Sequence, residues 1–330
     1  MSDSKKVGVV LFQLGGPETL EAVEPFLYNL FCDPDIINFP GSFLARKLLA
    51  KLISSTRSKT VGKHYAEIGG GSPIRRLTEQ QAFALETALK PHINARTIVA
   101  MRYWNPDTKA AIKVLESEAH DELVLLPLYP HYSFATTGSS LKEWNRHYKP
   151  KVPVHTIDHF YDHPDYIAAI VERVDSVLER IPDPSSVLLV FSAHGLPMAL
   201  VEKGDPYPKQ IEATVQLVRE LGAWSNPHLL CFQSKVGPQK WLQPSLTGTV
   251  ESLARDGVRR MLVIPISFLT EHIETLHEIN IEAREQAESF GIHDFYMMPA
   301  LNNSPLLIRG LADLVLRAVG KRLGVASFAT

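Results

Sequence analysis

The sequence predicts an α/β protein built from two similar Rossmann-type halves, each with a four-stranded parallel sheet flanked by helices. Three observations carry this reading. Short apolar runs alternate with helical patterns along the chain, the runs fall into two sets of four with similar flanking residues, and no low-complexity linker interrupts them. The halves are expected over residues 1–160 and 161–330, meeting near residues 158–165, with a ligand cleft between them.

In the first set, residues 7–12 precede Gly15-Gly-Pro17, 97–104 precede Asn105-Pro106, 123–129 contain Leu126-Pro127, and 152–157 close the half. The second set repeats this grammar: 187–191 before His194-Gly-Leu-Pro197, 229–233 before Gly237-Pro238, 261–266 containing Ile264-Pro265, and 295–299. Continuous apolar runs of this kind suit parallel strands covered on both faces. Over 305–325, Leu307, Leu311, Leu314 and Ala318 recur at helical steps, which predicts a terminal helix packed on one of the halves and able to return to the first.

A 330-residue chain with 45% hydrophobic residues can fill a substantial core, and a formal net charge of -2 gives no reason to expect nucleic acid. The only cysteines, Cys32 and Cys231, lie far apart without a Cys-x-x-Cys pair. That argues against a disulfide framework, a structural zinc site or an intrinsic iron-sulfur cluster. The opening Met1-Ser-Asp-Ser-Lys-Lys6 leads straight into a strand pattern with no long apolar stretch, so the cytoplasm is the expected compartment.

Two titratable residues stand just beyond strand-forming runs, where open parallel sheets place their ligands: His194 after 187–191, and Glu274 after 261–268. A neutral imidazole can take a proton or offer a lone pair to a metal near neutrality, although a hydrogen-bonded loop histidine would read the same way. Glu271, Glu274, Glu278, Glu282, Glu285 and Glu288 recur at steps of three or four, offset only by Arg284. Such a stripe is either a solvated helix face or a row of carboxylates compensated by protons or cations. His272 and Glu274, two residues apart, meet only if the helix begins irregularly. The glycine clusters at 15–16 and 69–71 lack a dinucleotide or phosphate-loop signature and read as turns, Thr136-Thr-Gly-Ser-Ser140 reads as a helix-starting loop, and Asp205 sits in a turn with Gly204, Pro206 and Pro208.

Ten motifs then carry a family resemblance: Leu14-Gly-Gly-Pro-Glu-Thr19, Gly69-Gly-Gly-Ser-Pro-Ile74, Arg102-Tyr103, Tyr129-Pro-His-Tyr132, Thr136-Thr-Gly-Ser-Ser140, Ser192-Ala-His-Gly-Leu-Pro197, Gly204-Asp-Pro-Tyr-Pro208, Gln233-Ser-Lys-Val-Gly-Pro238, Trp241-Leu242 and His272-Ile-Glu-Thr-Leu276. From about Val7 to Leu316 the chain resembles the ferrochelatases, enzymes that insert ferrous iron into a porphyrin in haem synthesis. The resemblance implies a chelatase-like fold of two Rossmann-type halves around a porphyrin cleft, as in bacterial members lacking an iron-sulfur cluster.

It further implies that His194 is the catalytic histidine, Glu274 the glutamate facing it, and His272 a neighbour whose role is open. His194 and Glu274 would handle the metal, while Glu271, Glu278 and Glu282 would lie on the acidic stretch that moves protons or metal. Arg57, Tyr65 and Ser72 resemble the residues that hold porphyrin propionates. Leu14, Arg102, Tyr103, Tyr129 and Trp241 resemble pocket-lining positions. Leu14 replaces a methionine common in animal members, Thr270-Glu271 replaces Ser-Asp, and Phe134 stands where cluster-bearing members have a cysteine; with the chain ending at Thr330, no cluster and no other intrinsic cofactor is expected.

Ferrous iron is then a substrate. The motifs around Asp205, Lys235 and Trp241 resemble the protoporphyrin-using branch, which implies protoporphyrin IX as substrate and protohaem as product; coproporphyrin, a cobalt or nickel chelatase of the same fold, and a non-catalytic haem or porphyrin carrier are the alternatives. Between Asp35 and Glu67 no acidic residue occurs, yet Arg46, Lys47, Lys51, Arg57, Lys59 and Lys63 are interleaved with Phe39, Phe43, Leu44, Leu48, Leu49, Leu52 and Ile53. This basic amphipathic segment corresponds to the family's lip over the porphyrin mouth, with Leu30, Phe31, Leu52 and Val61 at its apolar positions. It predicts peripheral contact with an anionic membrane, on the inner face of the plasma membrane.

Overall fold

Runs of Val, Leu, Ile and Phe too continuous for one helix stripe form the four central strands among the eight of the computed structural model, which describes residues 5–34, 43–237 and 239–323. The first sheet holds β1 (Lys6–Gln13), β2 (Asn94–Met101), β3 (Glu122–Pro127) and β4 (Val154–Thr156), in the order β2-β1-β3-β4. The second holds β5 (Leu188–His194), β6 (His228–Gln233), β7 (Arg260–Pro265) and β8 (Asp294–Met297), in the order β6-β5-β7-β8. Every pairing is parallel, and the two sheets share one order.

The helices of the first half are α1 (Val23–Phe31), α2 (Phe43–Glu67), α3 (Ile74–Leu89), α4 (Thr108–Glu116) and, after a short π-helix at Phe134–Gly138, α5 (Ser139–His147). In the chain, α6 (Pro164–Leu178) lies between β4 of the first sheet and β5 of the second. The second half adds α7 (Met198–Glu202), α8 (Tyr207–Gly222), α9 (Leu246–Arg255), a ten-residue π-helix at Glu274–Ala283 continuing into α10 (Arg284–Ser289), and α11 (Pro305–Ala318).

The central strands β1, β3, β5 and β7 are buried almost throughout, which explains their apolar sequence on both faces. One apolar cluster reaches both sheets, joining Val9, Leu11 and Val124 to Leu189, Phe191 and Ile264 through residues of α6, α8 and α11. Helix α11 packs on α3 and α6, with Leu307, Leu311 and Ala312 fully buried. It ends at Ala318, the last residue of the apolar spacing and short of the expected 325: Gly320 takes a left-handed φ of 71°, and the Lys321 N–H returns to the Leu316 carbonyl. Residues 324–330, with the expected helix end at Val325, lie outside the described residues, as do Phe39 and Pro238; the side chains of Phe43 and Leu44 do too.

Strand β2 is displaced from the expected 97–104. As an edge strand it admits the exposed polar residues Asn94 and Arg96 at its start. Its far end is set by a turn in which the Met101 N–H donates to the Pro106 carbonyl at 2.7 Å. Arg102 and Tyr103 leave the strand but still donate to the Gln13 and Leu14 carbonyls, at 2.8 and 3.0 Å. The carboxyl ends of β1 and β2 are thereby tied together beyond the sheet, just as the Ile266 N–H ties β7 to the Ser192 carbonyl of β5 at 3.0 Å.

Candidate active site

Strand β5 ends on His194, whose backbone N–H donates to Ser267 Oγ at 3.0 Å, fixing the strand end against the loop after β7. The following Gly195 N–H donates to the Gln233 carbonyl at 2.7 Å. A Cβ on Gly195 would lie 2.7 Å from that carbonyl oxygen and 3.1 Å from Trp241 Cε3, so only glycine permits this approach. Its own carbonyl lies 2.6 Å from His194 Nδ1. Because a carbonyl only accepts, Nδ1 carries the hydrogen and Nε2 is left facing Glu274 Oε1 at 3.5 Å.

His272 repeats the arrangement on the other carboxylate oxygen. Its Nδ1 lies 2.9 Å from the Thr270 carbonyl and its Nε2 lies 3.2 Å from Glu274 Oε2. The two residues meet despite their spacing because residues 270–273 precede the π-helix, which opens on Glu274. Phe268 packs edge-on against the His272 ring at 4.7 Å between centroids, and His272 is buried, whereas the His194 side chain is 36% exposed. Glu274 is therefore bracketed by two imidazoles, each with its remote nitrogen held by the main chain.

The charges follow from that geometry. Burial by itself would lower the His194 pKa, but the charge and hydrogen bond of Glu274, helped by the Gly195 carbonyl, raise it to about 9. Burial would likewise raise the Glu274 carboxyl; His194 and His272 outweigh it and hold the group well below the ordinary carboxylate range. The pair's contribution to stability is thus full between about the unfolded carboxyl value of 4.5 and the unfolded imidazole value of 6.5. It fades as pH rises through about 9, where His194 loses its proton, and as pH falls through the depressed Glu274 value.

The acidic residues divide by environment. Glu278 accepts from the Ser234 N–H at 2.6 Å, from Ser234 Oγ at 2.5 Å and from Gln233 Nε2 at 3.3 Å. Burial first, then the nearby Glu274 charge, push its carboxyl upward, against the pull of Ser234. Ser234 reaches it with both donors from a left-handed backbone, φ 66°, a strained conformation for a side-chain-bearing residue. Glu282 is half exposed, and Glu285 and Glu288 are exposed. Glu271 stands apart, accepting from the Thr275 hydroxyl and from the Ala300 N–H, so it anchors the loop after β7 rather than joining Glu274 and Glu278.

Gln233 also donates to the Glu274 carbonyl at 3.2 Å and accepts from Ser192 Oγ at 2.8 Å, linking β5, β6 and the π-helix. Neither Gln233 nor Ser234 stood out in the sequence as an individual candidate. Their signal was the one that marked His194: polar residues immediately beyond a buried strand.

The first half supplies the remaining predicted positions. Tyr65 of α2 is buried, its phenol held high by burial and then by the Glu274 charge, which places it within electrostatic reach of the histidine pair. Leu14, Tyr103 and Ile273 pack in the same apolar cluster. The Arg102 guanidinium faces inward, donating to Asp33 Oδ2 at 2.6 Å and to Ser139 Oγ at 2.8 Å, while the Tyr103 hydroxyl donates to the same Asp33 oxygen at 2.6 Å. Arg57 is exposed over the Phe31 ring, Ser72 is buried beside Gly16, and burial pushes the Tyr129 phenol up to about 12. Trp241 donates its indole N–H to the Val236 carbonyl at 3.0 Å, and its ring lies 6.4 Å from that of His194.

Comparisons with known proteins point to one family and one fold. A family model described as Ferrochelatase matches residues 6–319. The chain is 46% identical to a ferrochelatase of Trichodesmium erythraeum (strain IMS101) over 95% of its own length and 83% of the relative's. It is also 46% identical to one from Geotalea daltonii, over 96% and 99% of the two lengths. Among solved structures, SirB from Bacillus subtilis with Fe3+ superimposes with a TM-score of 0.55 at 13% identity, covering 95% of each chain. CbiX, described as the terminal enzyme of sirohaem biosynthesis in denitrifying bacteria, gives 0.53 at 14% identity, over 97% and 100%. The two structures share the fold.

Ser234 provides a test of the electrostatics. Replacing it with alanine removes one donor from the Glu278 carboxylate, so the Glu278 midpoint, followed by NMR of 13C-labelled glutamate side chains, is expected to move up in pH. An unchanged or lower midpoint would show that this hydroxyl does not stabilise the charged form.

Proposed function

Because the chain belongs to the ferrochelatase family, we propose that the cluster around Glu274 is the centre at which it inserts iron into a porphyrin in haem synthesis. The observation that carries the assignment is the Glu274 carboxylate bracketed by His194 Nε2 and His272 Nε2, with both Nδ1 atoms held by carbonyls. In chemical class the reaction is that of a lyase: one ferrous ion enters the ring, two pyrrole N–H protons leave, and no electron is transferred.

The residues divide this task. With His194 protonated and Glu274 anionic, the resting pair is an ion pair. Arrival of ferrous iron at Glu274 opposes the positive charge on His194, so its Nε2 proton departs and the exposed lone pair takes a pyrrole proton. Protons pass to Glu278, whose raised pKa suits it to accept one, and leave through the half-exposed Glu282. His272 holds the second carboxylate oxygen, and Glu271 fixes the loop that carries His272. Leu14, Tyr103, Tyr129 and Trp241 form walls favouring a ring bent toward the metal, which is differential binding of the transition state. Arg57 meets a propionate at the surface, Tyr65 and Ser72 complete that wall, and Arg102 with Asp33 and Ser139 supports it from behind.

The preferred ring is protoporphyrin IX, supported by the motifs around Asp205, Lys235 and Trp241. Ser133 Oγ and the Phe134 N–H both donate to Asp205 at 2.8 Å, so this buried carboxylate joins the start of α8 to the short π-helix of the first half. No intrinsic cofactor is called for: Cys32 and Cys231 are free thiols, and burial pushes Cys231 up to about 12, which suits it poorly to ligate a cluster.

Anaerobic assays with ferrous iron and either protoporphyrin or coproporphyrin, followed by absorbance, test this reading together with acid-labile sulfide analysis. His194→Ala and Glu274→Gln should each lower turnover by at least ~100-fold while porphyrin binding survives. Near-normal turnover in either variant would remove that residue from the chemistry, faster coproporphyrin turnover would reassign the substrate, and stoichiometric sulfide would restore a cluster.

The exposed face of α2 supports reading this segment as a membrane contact. Leu48 and Leu52, one helical turn apart, are 67% and 62% exposed beside basic residues of the same helix, and among the described residues no helix is long and apolar enough to cross a membrane. Lys51 pairs with Glu24 at 2.6 Å, so part of the basic character is already offset. Basic residues near an anionic surface contribute about 1 kcal/mol each, enough in combination for reversible attachment at the inner face of the plasma membrane, which would shorten the path of poorly soluble protoporphyrin to the cleft. Co-sedimentation with vesicles is expected to require anionic lipid, to weaken with salt, and to fall in Lys47→Glu/Lys51→Glu and in Leu48→Ser/Leu52→Ser variants. Equal behaviour on neutral and anionic vesicles would refute the electrostatic contribution.

A further inference from the structure

On the side facing β7, the main chain of His194 is held by side chains rather than by the sheet. The ladder between β5 and β7 pairs Ser192 with Pro265 and closes with the Ile266 N–H on the Ser192 carbonyl at 3.0 Å. Continued by one step, a parallel ladder would bring the His194 N–H to the Ile266 carbonyl and the Phe268 N–H to the His194 carbonyl. The chain after β7 turns away before either bond forms. The Ile266 carbonyl accepts from the Tyr166 hydroxyl of α6 at 2.8 Å, and the Phe268 N–H folds back to the Pro265 carbonyl at 3.4 Å. Both backbone groups of His194 must then find partners elsewhere. Its N–H donates to Ser267 Oγ, and its carbonyl accepts from the Tyr207 hydroxyl of α8, each at 3.0 Å.

Tyr207 is in turn keyed to the other half. It is buried, and its ring stands edge-on to that of His131 at 5.9 Å between centroids. Its N–H donates to Asp205 Oδ1 at 3.0 Å, while Asp205 Oδ2 accepts from Ser133 Oγ and the Phe134 N–H of the first half. Further along α8, Gln210 Oε1 accepts from the Tyr132 N–H at 2.7 Å. The start of α8 is thus docked on residues 131–134, beyond the carboxyl end of β3.

We propose that Tyr207 is a positioning residue for His194: its hydroxyl replaces the missing strand partner of the His194 carbonyl, and Asp205 makes that contact depend on the docking of the two halves. The proposal rests on the reading of His194 as the group that takes a pyrrole proton. The His194 carbonyl belongs to the peptide unit whose N–H, that of Gly195, donates to the Gln233 carbonyl, so the unit is held at both ends. Releasing one end lets it rock. The Gly195 carbonyl that captures His194 Nδ1 moves with it, and the direction of Nε2 is then loosely set.

The test is Tyr207→Phe, which removes the hydroxyl and keeps the ring beside His131, with Asp205→Asn and the double variant for comparison. Two quantities are followed at one fixed pH: solvent exchange of the His194 Nδ1 hydrogen by 15N NMR of the protein alone, and anaerobic turnover of protoporphyrin with ferrous iron, resolved into kcat and KM. In Tyr207→Phe the exchange should quicken and kcat should fall about 10–100-fold, the scale for a displaced reacting group, with the porphyrin KM within about twofold of wild type. Asp205→Asn should move both quantities the same way, and the double variant should be no worse than Tyr207→Phe. Unchanged exchange in Tyr207→Phe would overturn the positioning role, whether or not kcat falls, because a loss of turnover would then arise elsewhere than through His194. Effects that simply add in the double variant would overturn the dependence on docking. Faster exchange at an unchanged kcat would keep Tyr207 as the support of His194 and count instead against His194 as the proton acceptor.

Discussion

The whole centre depends on one constraint, the capture of each histidine Nδ1 by a main-chain carbonyl. Gly195 holds His194 and Thr270 holds His272, so both rings must present Nε2 to the two oxygens of Glu274. An ionised carboxylate facing two lone pairs is unfavourable, and a proton or a metal ion on at least one nitrogen removes the conflict. A single proton therefore decides the state of the pair.

The fold supplies that constraint at little local cost. His194 and Gly195 occupy the end of β5, fixed laterally by Ser267 from the loop after β7 and by the Gln233 carbonyl from β6, so three strand ends determine one ring orientation. Gln233 extends the connection to the π-helix through the Glu274 carbonyl and Glu278. The wider spacing of that helix leaves Glu274, Glu278 and Glu282 in progressively more exposed surroundings, from the histidine pair to solvent. Because α11 and the shared core join the two sheets, Tyr65 and Leu14 of the first half keep a fixed relation to a charge centre carried by the second.

Much of this was legible in the sequence. Buried parallel strands leave continuous apolar runs, and polar residues directly beyond them marked His194 and the Glu274 segment. The similar order of the two sheets was visible as repeated strand grammar. Edge strands were harder, since β2 begins with solvent-facing Asn94 and Arg96, which carry no apolar signal. The acidic stripe was also only partly readable: spacing aligned six glutamates, but it could not show that Glu271 turns back to Ala300 or that a π-helix begins at Glu274. Contacts between distant segments, such as Ser234 with Glu278, Arg102 with Asp33 and Asp205 with Ser133, leave no local trace and needed the fold.

The most direct measurement is the NMR titration of His194 in 13C-labelled protein, wild type against Glu274→Gln. If the Glu274 charge governs the pair, the wild-type midpoint lies near 9 and falls strongly in the variant, where burial acts with far less electrostatic opposition. A His194 midpoint that is the same in both proteins would contradict the claim that Glu274 controls the proton on His194.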